Sequence, residues 1–176
     1  MSCDITLGRK EACKTSVGGL KAVYFINYDD ALLSGATLTG SLITALTAAT
    51  PSFKYELKGD NNTFEEANEN SRDNGTSFFT QTGALVIKVQ DSATQAELTL
   101  LSYGRPHVII EDHNGNFRLA GAKNGVEVSV STSTGGAMGD LNGYTLSFEG
   151  KEINMSTYVD SALIGAVDGF TVTEGA

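Results

Sequence analysis

The 176-residue chain has no tryptophan, two prolines, two cysteines and two histidines, and its 12 basic side chains face 21 acidic ones. A formal net charge of −9 argues against a nucleic-acid binder that draws its affinity from neutralising phosphates. Such a charge is compatible with a surface that nucleic acid passes without sticking. No apolar run approaches the roughly 20 residues needed to span a bilayer, and the start MSCDITLGRKEACK lacks the apolar core of a signal peptide. The expectation is a soluble protein made in the cytosol, with no membrane partner. Cys3 and Cys13 are spaced neither as a Cys-x-x-Cys redox pair nor as paired zinc ligands, so they read as free thiols in a reducing compartment, with a disulfide closing the short loop between them as the alternative. Without tryptophan, the exposed aromatic platform common in carbohydrate-binding modules has few candidates.

Hydrophobic residues make up 40% of the chain and charged residues 19%, too apolar and too weakly charged for a disordered protein. Thr, Ser, Gly and Val abound, which favours a β-dominated fold, and the length suits one domain over residues 1–176. Residues 1–18 read as an N-terminal arm or first strand. Leu20, Ala22, Tyr24, Phe25, Ile26 and Tyr28 form an aromatic, β-prone run that predicts a strand. Periodicity does not decide between helix and strand for residues 31–51. Phe53, Tyr55 and Leu57 alternate with polar residues, placing them on one face of a half-buried strand.

Residues 59–75, GDNNTFEEANENSRDNG, carry five acidic side chains against Arg72 alone and read as a long exposed loop excursion. A strand resumes through Leu85, Val86, Ile87 and Val89. Ser92 stands three residues before Gln95, the spacing of a capping box, and predicts a helix that runs to Gly104 before Arg105-Pro106. Next come a hairpin turning at Asn114-Gly115, an alternating run at Val126, Val128 and Val130, and another at Tyr144, Leu146 and Phe148. Together these predict a meander with one buried face. The tail suggests a short helix over 158–163 and a last strand over 170–173.

Chemistry-bearing patterns are weak. Asp112, Asn114 and Asn116 imitate the opening of a calcium loop, but Gly115 falls before the third ligand position and no Glu occupies the twelfth. His107 and His113 lack a third metal ligand. Neither a nucleophile elbow nor a metalloprotease helix nor a phosphate-binding glycine loop occurs. Glu65 and Glu66 are the paired carboxylates, and in a polar excursion solvation would keep both ionised. The reading predicts no catalytic residue, cofactor or metal, and points instead to surfaces for self-association. Candidates are Asp60, Asn61, Phe64, Glu65 and Glu66 in the excursion, with Phe78 and Phe79 beside it. The Ser/Thr ladder at 129–134 leads to a second set, Gly135, Gly136 and Met138, where small residues permit close backbone approach.

Residues 100–152 carry Tyr103-Gly104-Arg105-Pro106 after the helix, the Glu111 to Asn116 hairpin, Gly121-Ala122 with Gly125-Val126-Glu127, and Ala137 to Asp140 leading to Gly143-Tyr144-Thr145-Leu146. This segment resembles the C-terminal half of the tail tube proteins of tailed bacteriophages. That resemblance covers about a third of the chain and carries no catalytic motif. It implies a mainly β fold, a sandwich or barrel with one flanking helix. It further implies a structural virion protein of the tail, assembled in the bacterial host cytoplasm as stacked hexameric rings around a DNA channel. Implied partners are further copies of the chain, other tail proteins such as sheath, terminator or baseplate, and genome DNA in non-specific passage. Alternatives are another virion β-sandwich protein (tail terminator, head-tail connector or capsid decoration protein) or a carbohydrate-binding module.

Overall fold

In the computed structural model, which describes residues 7–11 and 13–175, the chain is mainly β with one α-helix and two sheets. The eight-stranded sheet contains β1 (Leu20–Ile26), β2 (Thr37–Thr39), β3 (Leu42–Ala45), β4 (Thr50–Glu56), β7 (His107–Asp112), β8 (Phe117–Ala120), β11 (Thr157–Val159) and β12 (Phe170–Glu174), in the order β12-β4-β1-β7-β8-β11-β3-β2. The four-stranded sheet contains β5 (Thr63–Ser71), β6 (Thr76–Lys88), β9 (Glu127–Ser133) and β10 (Gly143–Glu152), in the order β5-β6-β10-β9. Neither sheet closes on itself among the described residues. Cys3 and the first six residues of the expected arm lie outside the described residues; the described arm residues up to Gly18 are exposed and carry no regular structure.

Alternation explains how the sheets stack. Tyr144, Leu146 and Phe148 point inward while Thr145, Ser147 and Glu149 stay exposed, as a period of two requires. Their inner face meets Val23, Phe25, Val108 and Ile110 of the larger sheet in one apolar cluster, with Leu98 of helix α1 (Ser92–Tyr103) at its margin. A second cluster lies on the opposite face of the larger sheet, where Tyr24, Ile43, Ile109, Leu119 and Phe170 pack together. Burial on both faces makes β1 and β7 nearly continuous apolar runs.

Several sequence expectations are corrected. Residues 59–75 are not a loop excursion: Thr63 to Ser71 pair with Ala84 to Thr76 as an antiparallel strand. Backbone pairing sustains β5 although its side chains are mostly polar, because most of its residues face solvent. The helix ends where expected, but Asp91 caps it in place of Ser92, its carboxylate accepting the Thr94 N–H at 2.7 Å. The expected meander is divided, since β7 and β8 form a hairpin in the larger sheet whereas β9 and β10 pair in the smaller one. In the β7–β8 turn only Gly115 takes a positive φ, at 79°. Asp112 holds that turn by accepting the N–H groups of Asn114 and Asn116, both at 2.8 Å. The ambiguous stretch at 31–51 forms a turn and three strands, β2, β3 and the start of β4; the tail holds β11 and a single 3-10 turn at Ser161–Leu163.

Candidate assembly surface

The outer face of the four-stranded sheet has no protein layer over it and reads in rows fixed by strand register. Glu65 faces Thr82, Thr82 faces Glu149, and Glu149 faces Glu127, so one row of acidic side chains crosses the sheet from edge to edge. The neighbouring row is Thr63, Ala84, Ser147 and Ser129. Beyond it Val86, Thr145 and Ser131 continue the small, mostly hydroxyl-bearing surface. Like charges directly opposite each other, as at Glu127 and Glu149, oppose pairing. Lys151 relieves this in part, with its ammonium 3.5 Å from the Glu149 carboxylate. Carboxylates and hydroxyls dominate this surface, and the cations that border it, Lys151 and Arg105, lie beside Glu149 and Glu127.

Both edges of this sheet, β5 and β9, lack a partner strand in the monomer. Because the four strands alternate in direction, the two edges run opposite ways. Copies related by rotation can therefore set β9 of one against β5 of the next as a further antiparallel pair. Unpaired edges of this length are an aggregation liability in an isolated subunit.

Two projections border the sheet. The β5–β6 hairpin runs to a turn over 72–75, and near it Asn68, Glu69, Asn70, Ser77 and Thr76 are all exposed. Phe78 and Phe79 stand half-buried on opposite faces of this hairpin. The other projection is the loop between β9 and β10. Asp140 folds it by accepting the N–H groups of Gly136 and Ala137 at 2.9 and 2.8 Å, which holds its carboxyl below the usual range. Gly135 takes φ 70° there, and Met138 stands fully in solvent at the tip. Asp60 and Asn61 are exposed in the turn that enters β5, and Phe64 is half-buried, stacked on Phe148 at 6.2 Å between centroids.

Glu66 departs from the sequence expectation. It points inward, and its carboxylate accepts from Ser156 N at 2.6 Å, Ser156 Oγ at 2.8 Å and Gln81 Nε2 at 3.0 Å, with Arg118 3.7 Å away. It is therefore unavailable to a neighbouring copy. Alternation separates it from Glu65: one faces the interior and the other solvent. From Gln81 the bonding continues into the larger sheet, its Oε1 accepting the Gly121 N–H at 2.8 Å. His107 lies on the other side of that glycine. Its Nε2 accepts the Asp29 N–H at 3.0 Å, so Nδ1 carries the proton and donates to the Gly121 carbonyl at 2.5 Å. This chain of bonds locks the β5–β6 hairpin onto the larger sheet. Sequence reasoning missed Gln81, Ser156 and His107 in these roles; a lone polar residue within a strand pattern, as at Gln81, was the available signal.

No protein-family model, curated protein or solved structure matches the chain.

Proposed function

We propose that this chain is a structural subunit that assembles with copies of itself into rings, and that the rings stack as the tail tube of a tailed bacteriophage. In this reading the four-stranded sheet lines the channel. The supporting observation is the combination of two open, oppositely directed edges with an uncovered outer face crossed by an acidic row. Joined edge to edge, the sheets form a continuous wall, the liability of open edges disappears, and the acidic rows become a belt around the lumen.

Size supports a ring of six. Six such sheets contain about 24 strands, and at roughly 4.8 Å per strand with a tilt of about 40° the backbone wall is about 48 Å across. Side chains reduce this to a bore on the order of 35 Å, wide enough for a DNA duplex. Three copies give a wall only about half as wide, too narrow once side chains are counted. In this reading DNA passes a lumen in which the cations present, such as Lys151, sit beside carboxylates, so few counterions are released from phosphate and binding stays weak. The β5–β6 hairpin and the Met138 loop then meet neighbouring copies, and the protein acts without chemistry of its own.

Negative-stain micrographs of the concentrated protein test the proposal. Rings or tubes with a stained central channel are expected. Protein that stays monomeric at high concentration and forms neither sinks it.

A further inference from the structure

The two open edges of the four-stranded sheet are not level. Along the rows set by register, only residues 127–129 of β9 lie across from β5, at 65–63. The rest of β9 runs past one end of β5, and residues 66–71 of β5 run past the other. Copies joined at one level would pair three residues of β9, whereas a step of four or six residues along the strands pairs all seven. Even steps alone keep the solvent-facing rows on one side of the wall. Spread over four strands at about 4.8 Å, steps of four and six residues at about 3.3 Å correspond to tilts of about 35° and 45°, the range of closed barrels. The hand agrees as well. Val89 N–H donates to the Asn142 carbonyl at 2.8 Å, so the hydrogen-bonded pairs of β6 and β10 are those facing the core, such as Leu85 with Leu146. For L-residues this places β6 to the right of β10, and β9 to its left, when β10 runs upward seen from the core. The β5 edge then stands high on the right and the β9 edge low on the left. Each next copy steps upward, and the wall takes the right-handed tilt that strand twist favours.

We infer that neighbouring copies join with the six-residue step, β9 of one against residues 65–71 of the next. Charge separates the two steps. A step of four sets Glu127 opposite Glu69 of the adjoining copy, a second like-charge contact for a side chain that already faces Glu149. A step of six sets Glu127, Ser129 and Ser133 opposite Ser71, Glu69 and Glu65, so every carboxylate on this seam meets a hydroxyl. The three hydroxyl protons are unspent within the chain. Ser71 and Ser133 only accept, from the Asn74 and Gly135 N–H groups at 3.3 Å, and Ser129 has no side-chain partner among the described residues. Thr80 Oγ1 donates to one oxygen of Glu69 at 2.5 Å, which leaves the other for Ser129. These opposed residues form the non-hydrogen-bonded pairs of the new ladder, whose side chains stand closest.

The six-residue step rests on the ring proposed above, and its test is read separately from ring formation. In the full-length chain carrying Cys3→Ser and Cys13→Ser, Ser129→Cys is combined with Glu69→Cys for a step of six, Ala67→Cys for a step of four, or Thr63→Cys for none. Two strands lie between the edges of one copy, about 14 Å in all, so a link must join two chains. Under mild oxidation the Glu69→Cys combination is expected to form covalent oligomers at least about tenfold faster than the others, since a mismatch of two residues puts the Cα atoms beyond about 7 Å. Equal rates, or a faster link with Ala67→Cys or Thr63→Cys, would overturn the step. A cysteine-independent pair repeats the test: Ser129→Glu should weaken assembly about two- to fivefold, and adding Glu69→Lys should restore it. Failure of that rescue would also overturn the step. Micrographs of the same samples report the ring. Rings linked in another register refute the step alone, the expected link without rings refutes the ring alone, and neither rings nor links refutes both.

Discussion

Replacing Glu66 separates the interior role of this residue from the solvent role of its neighbour. Its carboxylate accepts three hydrogen bonds, from Ser156 N, Ser156 Oγ and Gln81 Nε2. Glu66→Ala leaves the Ser156 N–H and the Gln81 amide without their acceptor in a buried setting, at about 1–3 kcal/mol for each orphaned group. It also removes the partner of Arg118, which matters less because that side chain is 36% exposed. The expected loss is about 2–6 kcal/mol, set by the two orphaned donors. Glu66→Gln keeps one carbonyl oxygen for two of the donors, and the Ser156 hydroxyl can turn to accept from the new amide, so the loss falls to about 1 kcal/mol. Glu65→Ala, one residue away on the open face, should leave stability unchanged. Urea unfolding followed by circular dichroism measures all three. Equal midpoints for Glu66→Ala and Glu65→Ala would refute the assignment of Glu66 to the interior.

Glu127→Gln relieves the direct opposition to Glu149 and is expected to raise monomer stability by about 0.2–1 kcal/mol, a gain that shrinks with added salt; a loss in low salt would contradict the row. A methyl group at Gly83 would overlap the edge of the Phe148 ring, so Gly83→Ala should cost about 1–3 kcal/mol. Combining it with Phe148→Leu should recover part of that cost, and strict additivity in a double-mutant cycle would argue against the contact. The carboxyl of Asp112 is raised by partial burial but lowered further by its bonds to Asn116 and Asn114, for a net depression. Asp91 and Asp140 are depressed too, by their bonds to Thr94 and to Ala137 with Gly136. A depressed folded-state pKa contributes stability that is present above the unfolded value, near 3.9, and lost as pH falls through the folded value. Stability should therefore drop below about pH 4, and Asp112→Asn should flatten that drop; an unchanged acid limb would reject the Asp112 contribution.

Much of the fold was legible in the chain because period-two alternation and turn chemistry are local. Tyr144, Leu146 and Phe148 declared their buried face, and the helix from Ser92 to Tyr103 could be placed from its apolar spacing and its stop. Its cap was misassigned by one residue because Asp91 and Ser92 are both competent caps and only backbone geometry chooses between them. The stretch from Thr63 to Ser71 was illegible for a different reason. An edge strand facing water needs no apolar pattern, so its pairing with β6 leaves little trace in composition.

Sequence by itself determined a β-rich chain with one helix, a strongly acidic balance and a buried face for each alternating strand, since these depend on neighbours within a few residues. Only the tertiary structure decided where the charge lies. Glu65, Glu149 and Glu127 come from three strands far apart in the chain, and register alone brings them into one row. It also divided the adjacent pair Glu65 and Glu66 between solvent and interior, and assigned β5 and β9 to the open edges. Strand pairing over long separations is set by the packing of the whole core, which no local pattern encodes.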